Sequence, residues 1–366
     1  MTIRTIVASA PGKLVLAGEY AVLSPGEPAV VVAVDARITV RVRPAGAYSF
    51  SSESLGLTDL PVRYEDERWV PETGPAPRVA FAATAVNVVL GYLRDRGLDV
   101  SPFSLEIEGA LESTGGAKYG FGSSAAVSVA LVGGLLAAFG LEPDAAQVFK
   151  LAALAHHEAQ GSGSGLDVAA ASYGGAIRYV AFDPDWLNER RAAGDTVAQL
   201  VDGAWPLLGI EPLGWPDDLA LGIGWTGVPA STSALIKEVA GARSGRSPGY
   251  ARFLIQSRQA TNALAAALRD RDAQGAVRAL FAAREAIRVL QEASGVSIET
   301  PALSAFAEAS EAAGGAGKSS GAGGGDCGVA LFAGSQGLVR ARAAWERSGL
   351  EALDVSLSRT GLSLSR

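Results

Sequence analysis

The chain has 366 residues, of which 48% are hydrophobic and 19% charged, with a net charge of −7 and a single cysteine. That length supplies one large domain or two ordinary ones, and the lone cysteine excludes an intramolecular disulfide framework. The acidic balance speaks against broad, charge-driven binding of nucleic acid, but not against a small anion held by a few lysines and backbone N–H groups.

Residues 3–8 and 28–43 read as strands, the second β-branched and partly alternating. Residues 45–75 are polar and mixed, as in short strands and loops. A helix is expected over 78–97, with Gly97 near its end, and an alternating strand over 103–109. A glycine-rich stretch then precedes a helix running to about Phe139, and another helix covers 143–160. Residues 183–216 concentrate proline and tryptophan and read as a surface connection. We place a domain boundary near Pro216, giving units 1–216 and 217–366. A strand over 218–225 opens the second unit. Helices follow at 229–242, 249–270, 272–292 and 301–313, then a strand at 327–332, a helix at 335–347 and a final strand at 351–358. Strands and helices mix without a regular βαβ repeat, so the expected class is α+β. The most apolar run, 127–139, is too short to span a bilayer. The N-terminal MTIRTIVASAPGK, broken by Pro11, has no signal-peptide core. The expected location is the cytoplasm, with no membrane partner.

Three segments share one design: APGK at 10–13, KYGFGSSA at 118–125 and GGAGKSSGAGGGDCG at 314–328. A helix N-terminus offers N–H groups and a partial positive charge, and glycines before it let an anion approach the backbone. A serine at the N-cap would satisfy one N–H, and a second hydroxyl could face a phosphate or a metal ion. Residues 118–125 therefore read as a phosphate cradle. GFGSSA also fits the loose GxGxxA pattern of dinucleotide folds, but it lies in mid-chain instead of after a first strand. GAGKSS looks like the end of a P-loop, yet Ala312 stands where that loop needs glycine, and a strand follows in place of a long helix. His156 and His157, the only histidines, are adjacent on a helix and cannot share a face, so structural roles are expected for them.

Taken in order, APGKLVLAGEYAVL (10–23), KYGFGSSAAVSV (118–129), GSGSGLDVAAASYGG (161–175), GWTGVPAST (224–232) and KSSGAGGGDCGVAL (318–331) resemble the GHMP kinase superfamily. The phosphomevalonate kinase branch is the best match. Mevalonate kinases usually read Gly-Glu-His where this chain has Gly18-Glu19-Tyr20, and they usually lack the aspartate of Gly325-Asp326-Cys327. The resemblance implies a two-domain α+β fold. Its N-terminal domain would hold a left-handed βαβ crossover, its C-terminal domain would be ferredoxin-like, and the cleft between them would be the active site. It implies transfer of the γ-phosphoryl of ATP to the phosphate of (R)-5-phosphomevalonate, with Mg²⁺.

By the same resemblance, Lys13 reaches the phosphates and Asp167 is the candidate base or positioning carboxylate. Gly120, Phe121, Gly122, Ser123, Ser124 and Ala125 wrap the ATP phosphates, and Ser123 or Ser124 reaches the metal. Glu19, Tyr20, Lys118 and Ser164 line the substrate side, while Ser320, Ala322, Gly323 and Gly324 close over the transferring group. Plainer roles stand beside these: a surface lysine for Lys118, a helix cap for Asp167, a packed ring for Tyr20 and a turn cap for Asp326. Three other readings are a mevalonate kinase or another small-molecule member, an inactive ligand sensor of the same fold, and a dehydrogenase. Joint retention of Lys13, Ser123, Ser124 and Asp167 argues against the sensor. The oligomeric state is left open.

Overall fold

A computed structural model describes residues 3–72, 77–109, 111, 119–161, 163–244 and 247–366. The first unit runs β1 (Ile6–Ala17), β2 (Pro28–Pro44), β3 (Ser49–Ser52), β4 (Leu57–Glu65), β5 (Arg68–Pro71), α1 (Pro77–Asp95), β6 (Phe103–Glu108), α2 (Ser123–Ala138), α3 (Ala145–Gln160), α4 (Leu166–Tyr173), β7 (Ala176–Val180), α5 (Pro184–Ala192), α6 (Val197–Asp202) and β8 (Gly209–Leu213). The second runs β9 (Leu219–Trp225), α7 (Thr232–Ser244), α8 (Pro248–Arg269), α9 (Ala273–Ser294), α10 (Pro301–Ala312), β10 (Ala316–Ser319), β11 (Cys327–Ala333), α11 (Ser335–Arg347) and β12 (Glu351–Ala352), and the chain ends in β13 (Ser363–Ser365).

The larger sheet has the order β13-β1-β2-β6-β3-β4-β5, with β7 joining the other end of the long β2 and carrying β8. All its pairings are antiparallel except β3 with β6, which are joined through α1 as a parallel crossover. The β-branched run of β2 is buried from Pro28 to Val34, because β1 and β7 pair along its two edges and helices pack against the strand. Helix α2 is buried almost all round and packs against β1, β2, α1, α3 and α4. It is the central helix of the unit, and its N-terminus faces the cleft.

The smaller sheet has the order β10-β11-β9-β12, entirely antiparallel. Numbering its strands by sequence gives 2-3-1-4, with helices between the first and second and between the third and fourth. This is the split-βαβ arrangement of ferredoxin-like folds. Among the described residues no helix is long and apolar enough to cross a membrane.

Four expectations need correction. Strand β1 does not stop at residue 8. It continues through Pro11, Gly12 and Lys13, and absorbs the Pro-Gly pair as a bulge in its pairing with β2. The segment 183–216 is more than a surface connection. Asp183 and a Thr196–Gln199 capping box start two helices there, and Trp205 is buried against Phe149, Phe182 and Trp186. Residues 316–319, read only as part of a glycine-rich stretch, form the buried strand β10. The final strand at 351–358 is shortened to β12, because the chain leaves the small sheet and returns to the large one. There Ser358 N donates to Ala33 O, the Arg37 guanidinium bonds Ser358, Thr360 and Gly361, and β13 pairs with β1.

One buried charge network sits behind the cleft. Arg284 on α9 is 1% exposed and forks onto Glu299, with a further bond to Glu311. Glu299 follows Ile298, whose carbonyl accepts from Gly324 N at 2.7 Å, so the network braces the third glycine-rich stretch. Burial alone would raise the Glu299 carboxyl, but the hydrogen bonds and charge of Arg284, with Arg288 beside it, hold it below its ordinary value. A carboxyl held low gives stability above the ordinary carboxylate range and loses it as the pH falls through the folded-state value. Arg284→Met leaves Glu299 buried without its main partner and is expected to cost about 3–5 kcal/mol at pH 7 in urea denaturation. The gap from the parent protein should narrow in the same experiment below about pH 4.

Candidate active site

The site begins at the bulge of β1. Strand β13 pairs with β1 only at Val7, Ala8 and Ser9, so the same edge further along is left for other partners. Lys13 N donates to Phe121 O at 2.9 Å, and Val15 N donates to Ser320 Oγ at 2.9 Å. The first pulls in the second glycine-rich stretch, and the second pulls in the third. The half-buried Lys13 side chain turns back over the loop, its Nζ donating to Gly120 O at 3.1 Å.

Gly120 and Gly122 both have left-handed backbones, with φ of 82° and 75°. A Cβ on Gly122 would stand 3.2 Å from Lys13 Cε and 3.5 Å from Asp167 Cβ, so lysine and aspartate converge on this glycine. A Cβ on Gly120 would stand 2.7 Å from the Asp326 carboxylate. Gly122, not a serine, is the N-cap of α2; Ser123 and Ser124 are its first two helical residues, both half-buried. Their hydroxyls are thereby spared from capping.

Asp167 lies in the first turn of α4, whose N-cap is Gly165, so the aspartate is not the cap. Ser164 precedes that turn, and its carbonyl accepts from the fully buried Tyr179 hydroxyl. Burial, with Asp167 nearby, pushes the Tyr179 phenol well up, so it stays a neutral donor fixing the α4 entry. On the other side, Ser320 Oγ also donates to Val15 O at 3.1 Å, and a Cβ on Gly321 would lie 3.9 Å from Lys13 Nζ. Tyr20 is buried in the cluster formed by Val239, Phe253, Ile287 and Ile298, and its hydroxyl donates to Ala322 O. Burial, then Glu19 and Glu238, push this phenol up, which keeps the donor protonated. Gly323 and Gly324 pack against Ile298 and Leu235. Asp326, also left-handed, accepts from Ala230 N at 2.9 Å and so ties the third stretch to the loop after β9.

Next to Ser123 and Ser124 opens a cavity of about 240 Å³ with an apolar lining that includes Ile38, Phe50, Phe81, Leu111 and Val127. His156 stands beside it, buried, with Nε2 3.4 Å from Ser124 Oγ and its ring edge-on to Phe81. His157 instead meets Asn188 on the surface. Cys327 donates to Tyr119 O, and burial pushes its thiol up, so it is a packing group.

Lys13, Gly120, Phe121, Gly122, Ser123, Ser124, Ala125, Asp167, Ser164, Tyr20, Ser320, Ala322, Gly323 and Gly324 thus come to one cleft, from segments far apart in sequence. Lys118 lies outside the described residues. Glu19 does not face open space: it is buried and paired with Lys318. Sequence reasoning gave Lys318 no role, because a lysine in a Gly/Ser run reads as solvated; only its place on a buried strand distinguishes it. The apolar cavity was also missed, since its residues come from five elements with no shared motif.

The family model for the GHMP kinases N terminal domain matches residues 82–175, and that for the GHMP kinases C terminal matches residues 264–351. Over 98% of its length the chain is 38% identical to the phosphomevalonate kinase of Streptomyces sp. (strain CL190), covering 99% of that protein. The structure of a Lin0012 protein from Listeria innocua matches with a TM-score of 0.90 at 32% identity, covering 99% of this chain and 100% of that one. Streptococcus pneumoniae phosphomevalonate kinase in complex with phosphomevalonate and AMPPNP matches with a TM-score of 0.83 at 26% identity, covering 96% and 99%. With both units matched and a relative alike from end to end, the chain belongs to the GHMP kinase family.

Proposed function

We propose that this protein is a phosphomevalonate kinase, transferring the γ-phosphoryl of ATP to the phosphate of (R)-5-phosphomevalonate. The observation that carries the reading is the convergence of Lys13, the glycine loop at the N-terminus of α2, Asp167 and Gly321 on one point. The likeness to the Streptomyces enzyme over the whole chain selects the acceptor. The boundary between the two catalytic units lies near Pro216, where the chain passes from β8 to β9.

In the reaction, the bond from the γ-phosphorus to the β,γ-bridging oxygen breaks and one to a substrate phosphate oxygen forms, releasing ADP and 5-diphosphomevalonate. Such transfers depend on positioning and charge neutralisation. The apolar cavity beside Ser123 takes the adenine, and the first turn of α2 takes the phosphates through N–H groups and the helix dipole. Lys13 supplies the fixed positive charge where negative charge develops. Two hydroxyls and the Asp167 carboxylate form a hard-oxygen set that suits Mg²⁺, which takes few protein ligands and relies on phosphates for the rest. Ser123 or Ser124, with Asp167, would hold the ion, and when bound it screens the phosphate charges. The acceptor phosphomonoester has its second pKa at about 6, so it is already largely dianionic at pH 7. Asp167 therefore acts as a positioning group and not as an essential base.

In a coupled ADP-release assay with ATP and Mg²⁺, turnover is expected with (R)-5-phosphomevalonate and not with (R)-mevalonate, galactose or homoserine. Turnover with mevalonate alone would overturn the acceptor and keep the fold. Lys13→Met should lower kcat by about 10²–10³-fold, the scale of losing one group that stabilises transition-state charge. Asp167→Asn should cost less, and the rise of rate through about pH 6 should survive in it, because that rise belongs to the substrate phosphate. Loss of the rise in Asp167→Asn would show that the aspartate is the base. Gly120→Ala places a methyl group against the Asp326 carboxylate on a backbone that L-residues avoid. Calorimetry should show binding of an ATP analogue weakened by about 5- to 100-fold, in keeping with strain of about 1–3 kcal/mol.

A further inference from the structure

We propose that Lys318 is a positioning residue for the phosphoryl transfer, acting with Glu19 as a buried ionic pin that fixes the third glycine-rich stretch over Lys13. This rests on the kinase reading of the same cleft and adds to it a residue that takes no part in binding either substrate.

Lys318 is 1% exposed and Glu19 is 5% exposed, and the lysine Nζ bonds both Glu19 Oε1 and the carbonyl of Ser319. The two residues are 299 positions apart and belong to different units. Glu19 sits at the turn after β1, and Lys318 is on β10. Two and three residues after Lys318 come Ser320, clasped to Val15, and Gly321, near Lys13 Nζ; next to Glu19 comes Tyr20, whose hydroxyl holds Ala322 O. The ion pair is therefore one of three ties between the exit of β1 and residues 318–322, and the only ionic one among the described residues.

Its chemistry is poor for stability alone. Glu19 Oε2 is buried and has no hydrogen-bond partner among the described residues. A buried pair left partly unsatisfied gains less than it loses in hydration, and apolar replacements of similar volume are often neutral or stabilising. What a charged pair does supply is one geometry. The Nζ must meet both a carboxylate and the Ser319 carbonyl, which sets where Ser320 and Gly321 stand relative to the Lys13 ammonium. Tyr20 and Ser320 tie the same segment through neutral bonds, but neither fixes the Ser319 carbonyl.

The test compares Lys318→Met with the double variant Glu19→Gln/Lys318→Met. The readouts are kcat, KM for both substrates, melting temperature and amide exchange over residues 319–326. Lys318→Met is expected to lower kcat by about 10²-fold, the scale of a misplacement of about 1 Å in a catalytic group. KM for ATP should stay within about twofold, as for a loss confined to the transition state. The single variant should also melt lower, because it leaves Glu19 charged and alone. The double variant leaves no unpaired charge, so it is expected to regain the parent melting temperature while keeping the low kcat and faster exchange over 319–326. Recovery of kcat together with melting temperature would overturn the proposal, since the pair would then serve stability only. So would parent-like kcat and exchange in Lys318→Met. Turnover by the parent protein in the same assay tests the kinase reading separately, and the exchange data decide the positioning role whether or not that turnover is seen.

Discussion

The unpaired edge of β1 is the constraint on which the cleft depends. A buried strand edge must place its N–H and C=O groups on something. Strand β13 covers only the stretch from Val7 to Ser9. Beyond it, Lys13 N goes to the phosphate loop, and both backbone groups of Val15 go to one hydroxyl, that of Ser320. Two loops from distant parts of the chain thus become, in hydrogen-bonding terms, substitutes for a neighbouring strand. The Lys13 side chain projects from the same stretch. The residue that supplies charge and the backbone that places the loops are therefore mechanically one piece.

This arrangement suits a reaction with little covalent work for the protein to do. Phosphoryl transfer to an acceptor that is already anionic needs charge held in place and water kept out. The bulge at Pro11 and Gly12 turns the strand so that its lysine lies over Gly120 and Gly122, and α2 brings its dipole to the same point. The buried Glu19–Lys318 pair and the Arg284 network stand behind the third stretch from two sides. The first reaches it through Ser319 and the second through Ile298 and Gly324. Rigidity is thus built around a loop whose own residues, mostly glycine and serine, cannot provide it.

The sequence made much of this legible, for physical reasons that differ by element. The helices 249–270, 272–292 and 335–347 were readable because amphipathic spacing and capping residues act locally, and the structure places them within a few residues of expectation. The second glycine-rich stretch was readable because glycine before a helix has few explanations other than close approach, whereas the first runs along β1 and the third leads into β11, so neither carries that local signal. The fate of β1 was not readable. Pro-Gly signals a turn unless a partner strand is present to absorb it as a bulge, and that partner is a matter of tertiary pairing. The return of the C-terminal tail to the large sheet, held by Arg37, has no local signal either. Lys318 looks like a solvated charge and Glu19 like one facing the substrate until the fold buries them together. The assignment of serine as the α2 cap failed because Gly122 can adopt the left-handed cap conformation and leaves both hydroxyls free for other work.

The most direct measurement of the central claim is the ³¹P NMR spectrum of the protein with ATP, Mg²⁺ and (R)-5-phosphomevalonate. The phosphomonoester signal is expected to disappear as two coupled diphosphate-ester signals grow beside those of ADP. Formation of ADP and inorganic phosphate with the phosphomonoester unchanged would contradict it, because the cleft would then activate ATP without directing the γ-phosphoryl to the acceptor.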